Sequence, residues 1–302
     1  MIFFKKILIL LLLAIALTEM FYLLPLQQEK KGFSLEAISA TIPFHPEWEG
    51  RTLNSDETQE VEQALLKTYH YLGCGGQCFT FASLDGKYVI KFFKQKKFAL
   101  PRWIEHFPIP LLIDWLREKK TMKRVEKRNK VFTAFKLSFD QLQDETGLLY
   151  VHLNSTKHLN KILSVSDDLG AVHVLNLDGL EFVLQKKAML AYTAIDTWIE
   201  TQELDRAKEA IDQLLTLNIA LYQKGFRNRD PNFRSNCGFI GSRAILIDVG
   251  RVIPSEEIKN PKNYKNELAH ITPRFRQYLS KKHPELLAYF DQSLDKILQD
   301  EQ

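Results

Sequence analysis

The sequence predicts an α+β fold with a mostly β N-terminal half and a mostly α C-terminal half. Three observations carry that expectation. Between Tyr71 and Phe93 a glycine cluster is followed by alternating apolar residues and an Asp85-Gly86 turn, the pattern of strand, tight hairpin and strand. From Glu203 to Lys224 the apolar residues instead recur at helical spacing, and Gly225 closes the run. Beyond Val252, "PKNYKNELAHITPRFRQYLSKK" and "HPELLAYFDQSLDKILQ" read as two terminal helices.

In chain order, residues 1–27 form an N-terminal hydrophobic segment. Lys5 and Lys6 precede an apolar run from Ile7 to Leu17, which Thr18 and Glu19 interrupt before Met20 to Leu24 resume it. Together these approach the roughly 20 apolar residues that span a bilayer as a helix. The expectation is an uncleaved, single-pass anchor that makes the protein membrane-associated. Ala14-Ile15-Ala16 supports the alternative, a signal that is cleaved before secretion. Lys30 and Lys31 balance Lys5 and Lys6 across the segment, so the side of the membrane is undetermined.

Residues 28–55 read as a tether with little regular structure, and Asp56 to Tyr69 as a short amphipathic helix. After the hairpin, prolines at 101, 108 and 110 punctuate the chain. A long helical stretch follows, carrying Leu116, Met122, Val125, Phe132, Phe135 and Phe139, with Gly147 as its stop. "LLYVHLN", "VHVLNLDG" and "LEFVLQKKA" read as further strands. About 250 residues beyond the N-terminal segment suffice for one large domain or two lobes.

Composition narrows the function classes. The 302 residues include 41 basic and 37 acidic side chains, a net charge of +4. With no Arg-rich tract, that balance does not suggest nucleic acid as a partner. Cys74, Cys78 and Cys237 form no CxxC pair, which argues against a structural zinc site, and their odd number argues against a disulfide framework.

The densest chemistry lies in "GFRNRDPNFRSNCGFIGSRAILIDVGRV", Gly225 to Val252. Asp230, Asn236 and Asp248 surround a short β-type hairpin. Two acids and an amide so placed read either as ordinary turn chemistry or as a base with two ligands for a hard cation. Magnesium takes hard oxygen ligands and keeps several waters, so one carboxylate and one amide oxygen suffice.

With the helix before it, this stretch resembles the catalytic core of the protein-kinase-like superfamily, over residues 70 to 300. The resemblance implies a bilobal fold, with a β-rich N-lobe at 56–187 and an α-helical C-lobe at 188–302. It implies Asp230 as the catalytic base, and Asn236 and Asp248 as magnesium ligands, "DVG" standing for Asp-Phe-Gly. Upstream, "LGCGGQCFTFASLDGKYVIKFF" resembles the family's glycine-rich loop and strand lysine. Gly73, Gly75 and Gly76 would approach the phosphates of ATP, and Lys91 would pair with them. The family's helix glutamate, which holds that lysine, would be Glu126, with Glu118 as the alternative. Gln185 to Lys187 would bind adenine at the hinge. The implied function is transfer of the ATP γ-phosphoryl, with Mg2+, to a hydroxyl of an unknown acceptor. The alternative is an inactive pseudokinase acting as a membrane-tethered binding module. The chain departs from the pattern at Asn228, where the family has His, and at Cys78, where a third glycine would fall. Asn232 is a rival to Asn236, and no Ala-Pro-Glu follows Gly250.

Overall fold

The computed structural model describes residues 32–40, 42–95, 98 and 110–299. Helix α1 (Leu35–Ile38), a 3-10 turn at Pro46–Trp48 and helix α2 (Ser55–Leu65) precede the sheet. Asn54 caps α2: its side chain accepts the Glu57 amide while the Glu57 carboxylate accepts the Asn54 amide. The tether expected over 28–55 therefore contributes to the packed fold where it is described. Phe33, Ile38 and Trp48 are all buried there.

Strand β1 (Tyr69–Cys74), which begins at the residue expected to end the preceding helix, pairs with β2 (Cys78–Ser83), and β2 forms the expected hairpin with β3 (Tyr88–Phe93), with Thr80 opposite Lys91. Helix α3 (Pro110–Gln141) and one further turn, α4 (Gln143–Thr146), lead into β4 (Leu148–His152). Gly147 closes α4 at φ +63°, a left-handed conformation that glycine adopts without a Cβ clash. An added hairpin, β5 (Ile162–Ser166) and β6 (Val172–Asn176), precedes β7 (Phe182–Lys186). The sheet runs β4-β7-β3-β2-β1-β5-β6, antiparallel except where β5 lies parallel to β1. Two apolar layers cover it. Phe81, Ile90, Phe92, Phe182 and Leu184 pack with Ile38, Ala64 and Leu65 from α1 and α2. Phe93, Leu148 and Val183 pack instead with Phe132 and Phe135 of α3, in a cluster that continues into the helical half.

The second half begins with β8 (Met189–Leu190), α5 (Ala191–Glu200) and α6 (Leu204–Gln223). Then come β9 (Phe226–Asn228), the single turn α7 (Phe233–Asn236), the hairpin β10 (Cys237–Ile240) and β11 (Arg243–Leu246), and β12 (Val252–Pro254), which pairs with β9. Three terminal helices follow where two were expected: α8 (Pro261–Ile271), α9 (Pro273–Lys282) and α10 (Pro284–Gln299). Pro273, which cannot donate an amide to a continuing helix, divides the first expected one. The molecule is thus a mixed α/β fold with a seven-stranded sheet and a helical half.

The single-pass anchor and membrane association expected from the N-terminus are corrected here. Among the described residues, no helix is long and apolar enough to cross a membrane. Residues 1–27, on which the expectation rested, lie outside the described residues.

Candidate functional site

Lys91 is the centre of the site. Period-two alternation along β3 turns it to the same sheet face as Val89 and Phe93, and the ladder leaves it only 8% exposed. A buried ammonium needs acceptors, and two converge on it. Nζ donates to Gln185 Oε1 at 2.7 Å and to the Ile247 carbonyl at 2.6 Å. Burial pushes the Lys91 pKa below its usual value, while the charge of Asp248 opposes that fall. Neither acceptor carries a charge, so among the described residues Lys91 has no hydrogen-bonded counterion.

Ile247 links the sheet to the loop after α6. Its amide donates to the Asn236 carbonyl at 2.7 Å. The Asn236 side chain, buried, donates through Nδ2 to the Asp230 carbonyl at 2.7 Å, and its Oδ1 accepts from the Ser235 hydroxyl at 2.9 Å. Asp248 stands exposed at the end of β11, its Oδ1 accepting the Gly250 amide at 3.0 Å. Asp230 sits on a turn that the Asn228 side chain supports, accepting the Asp230 amide at 3.0 Å. Its carboxylate lies 3.5 Å from the Arg251 guanidinium. A continuous chain of contacts therefore runs from Lys91 through Ile247 and Asn236 to Asp230, with Asp248 next to Ile247. Asn232, the rival to Asn236, caps α7 instead, accepting the Arg234 amide.

The glycine turn between β1 and β2 reaches the same place. Gly73 takes φ +154° beside a bulge in the β1–β2 register, a backbone that side-chain-bearing residues rarely adopt. A Cβ at Gly73, Gly75 or Gly76 would meet nothing within 4 Å, so no packing inside the protein demands glycine at these three positions. Lys94 ties the turn down, with Nζ donating to the Gly75 carbonyl at 2.8 Å and its amide to the Gln77 carbonyl at 2.8 Å. Gln77 lies against Gly250 so closely that an added Cβ there would fall 2.1 Å from its Oε1, and that oxygen is buried without a hydrogen-bond partner. Cys78 fills the space where a third glycine was sought. Its thiol is buried and its pKa is pushed up to about 12, chiefly by that burial.

Three expected site residues stand elsewhere. Glu126 is exposed and pairs with Lys130 at 2.6 Å, one turn along its own helix. The face of α3 that meets the sheet carries Arg128, Val131, Phe132, Phe135 and Phe139, and Glu126 is two residues out of phase with it. Glu118 is exposed as well. The lysine–glutamate pair is corrected accordingly: the side chain holding Lys91 is Gln185. Gln185 is in turn not a hinge residue. It lies inside β7, paired with Val89 on one side and Leu148 on the other, and its Nε2 donates to the Thr146 carbonyl at 2.6 Å. Lys187 is exposed just past β7, with its amide donating to the Lys87 carbonyl. Gln77, Lys94 and Arg251 were missed at the sequence level. None of them had a signal in the sequence, because each acts across the fold.

Among the described residues, no group of three or more His, Cys, Asp or Glu could hold a metal ion. Asp248 and Asn236 are a smaller set of hard oxygen donors. A cavity lined by Thr272, Pro273, Arg276, Gln277 and Leu294 shares no residue with the cluster around Lys91.

No protein-family model matches the chain, and no curated protein does. Among solved structures, it is similar to that of WbdD, a bifunctional kinase-methyltransferase. The likeness has 16% identity and a TM-score of 0.35 over 72% of this chain and 43% of that one. A complex of WbdD with the kinase inhibitor LY294002 gives 16% and 0.33 over 74% and 44%. The chain thus spans under half the length of the WbdD chains it matches. Similarity at that level carries no conclusion about activity.

Proposed function

We propose that the protein is a kinase-like phosphotransferase that moves the terminal phosphoryl group of ATP to a hydroxyl. The observation that carries this reading is the contact chain that joins Lys91, Ile247, Asn236 and Asp230 with Asp248 at its side. Open space around Gly73, Gly75 and Gly76 supports it, because no neighbouring atom fills the room that a phosphate group would take beside them. Lys91 and Lys94 would meet the phosphates of the nucleotide. Lys91 suits this task because its charge is not already neutralised by an ion pair.

Asp248 and Asn236 would hold magnesium, which when bound neutralises charge on the phosphates. The Asp248 carboxylate has an oxygen beyond the one that accepts the Gly250 amide, and it faces solvent. Asp230 would orient the acceptor hydroxyl and take its proton, while the hydroxyl oxygen bonds to the γ-phosphorus and the bridging bond to the β-phosphate breaks. Arg251, beside Asp230, would keep that carboxylate in place before the acceptor arrives.

The second reading, a binding module without turnover, has its own observation. Asn228 stands where the family has His, and its Nδ2 is buried without a partner. One experiment separates the two. Magnesium with ATP should raise the Tm of the wild type by mass action, and Asp248→Ala should abolish the magnesium-dependent part. Asp230→Asn should keep the shift but lower ADP release by at least about 100-fold, the size of a general-base contribution. A wild type that shifts without releasing ADP favours the binding module. No shift at millimolar nucleotide removes both nucleotide readings.

A further inference from the structure

The arginines around Asp230 differ from those elsewhere on the surface. Arg51, Arg206, Arg227 and Arg276 each have a carboxylate within 3 Å. Among the described residues, Arg234 and Arg274 are exposed and have neither an ion pair nor a side-chain hydrogen bond. They are distant in sequence but adjacent in the fold. Arg234 lies in α7, whose Asn236 is bonded to the Asp230 carbonyl, and Arg274 opens α9. The ring of Phe233 meets that of Phe275 at 5.4 Å, which sets these two helix starts against each other. Tyr192, in the first turn of α5, lies within the field of both guanidinium groups as well as that of Cys237. Arg251 extends the positive surface to the Asp230 carboxylate itself.

The exposed guanidinium groups of Arg234 and Arg274 leave donors unused among the described residues, so an anion would balance the charge there. A guanidinium matches a phosphate or carboxylate in shape, and a molecule with a hydroxyl near such a group would present that hydroxyl to Asp230. We infer that the acceptor is a compact hydroxyl compound that carries a phosphate or carboxylate, gripped by Arg234 and Arg274. The inference rests on the phosphotransferase reading above. The reaction forms one bond from the acceptor hydroxyl oxygen to the γ-phosphorus and breaks the β–γ bridge, with the hydroxyl proton leaving to Asp230 and ADP as the second product. Between Gly250 and α8 the chain makes only β12 and one 3-10 turn, Glu256–Lys259, a short floor that suits a compact acceptor.

The test uses the full chain with magnesium and ATP, and reads ADP release on matched pairs: glucose against glucose 6-phosphate, and glucose against glucuronate. The charged member should be preferred by at least roughly tenfold in kcat/KM, the scale of one charge-assisted contact. The double substitution Arg234→Gln with Arg274→Gln should erase the preference by raising KM for the charged sugar, while the Tm shift with nucleotide is retained. Both side chains are exposed, and the Lys pair in their place should restore part of the preference. Equal use of neutral and charged sugars, no stimulation by any charged one, or a preference that survives the double substitution would overturn the inference. Absence of the nucleotide Tm shift would instead overturn the reading beneath it.

Discussion

Lys91 and Glu181 are two buried ionisable groups beside the same strand, β3, and they are treated in opposite ways. Lys91 is surrounded by oxygens: one amide and one carbonyl accept from it, and Asp248 adds a favourable field. Glu181, before β7, is 1% exposed and has one partnered oxygen, Oε2, which accepts from Gln95. Its other oxygen has no partner, and the nearby Arg128 guanidinium rests 5.2 Å over Trp48 without bonding it. Burial therefore raises the Glu181 pKa to about 7, against a usual 4.5. The difference teaches that burial alone does not mark a functional charge. Lys91 is satisfied by uncharged groups, whereas Glu181 is half satisfied and its carboxyl is pushed up by burial.

The largest expected break in this comparison is Lys91→Met. It keeps the apolar stem but removes the charge, so turnover should fall by about 100- to 1000-fold, the scale of one positioned electrostatic group. A folded variant with unchanged ADP release would show that Lys91 is structural, as Glu181 is. Next comes Glu181. A carboxyl whose pKa is raised on folding contributes stability that is fully present below about pH 4.5 and is lost as pH rises through about 7. Between pH 5 and pH 8 the wild type should lose roughly 2–3 kcal/mol from this group. Glu181→Gln should flatten that dependence in urea titrations and be the more stable form at pH 8. An unaltered pH profile would place the Glu181 pKa near its ordinary value.

Gln185→Leu sharpens the account of the lysine's partner. It leaves the Thr146 carbonyl without its donor and Lys91 with one acceptor fewer, so about 1–2 kcal/mol of stability should go. Lower turnover beyond that loss would mark Gln185 as the residue that positions Lys91. The smallest effect belongs to Glu126→Ala. Its only bonded partner among the described residues is Lys130 across an exposed helix turn, so neither Tm nor ADP release should change measurably. A drop in turnover would mean that α3 rotates to bring Glu126 inward during the reaction.

Much of the fold was legible because it is local. The Asp85-Gly86 turn brings β2 and β3 together, Gly225 closes α6, and the hairpin at Gly241 returns Ile247 beside Asn236. Each depends on residues a few positions apart. The β5–β6 hairpin was only half legible. Ile162 to Ser166 has mixed polarity, and its pairing with β1 joins segments nearly a hundred residues apart. The third terminal helix was hidden by a sound apolar period that Pro273 interrupts without a change of spacing.

The site divides along the same line. The order and spacing of Gly73, Lys91, Asp230, Asn236 and Asp248 were set by the sequence alone, because loops and hairpins of fixed length deliver them. Which side chain holds Lys91 was decided only by the tertiary structure. Glu126 and Glu118 on the long helix were the candidates the sequence offered, with Gln185 read only as an adenine contact, and the outcome depends on which face α3 turns to the sheet. That face was decided by its aromatic residues: Phe132, Phe135 and Phe139 bury far more apolar surface than an ion pair could offset, and they carry Glu126 outward to solvent. Gln185, already buried in β7 one strand from Lys91, was left as the acceptor within reach.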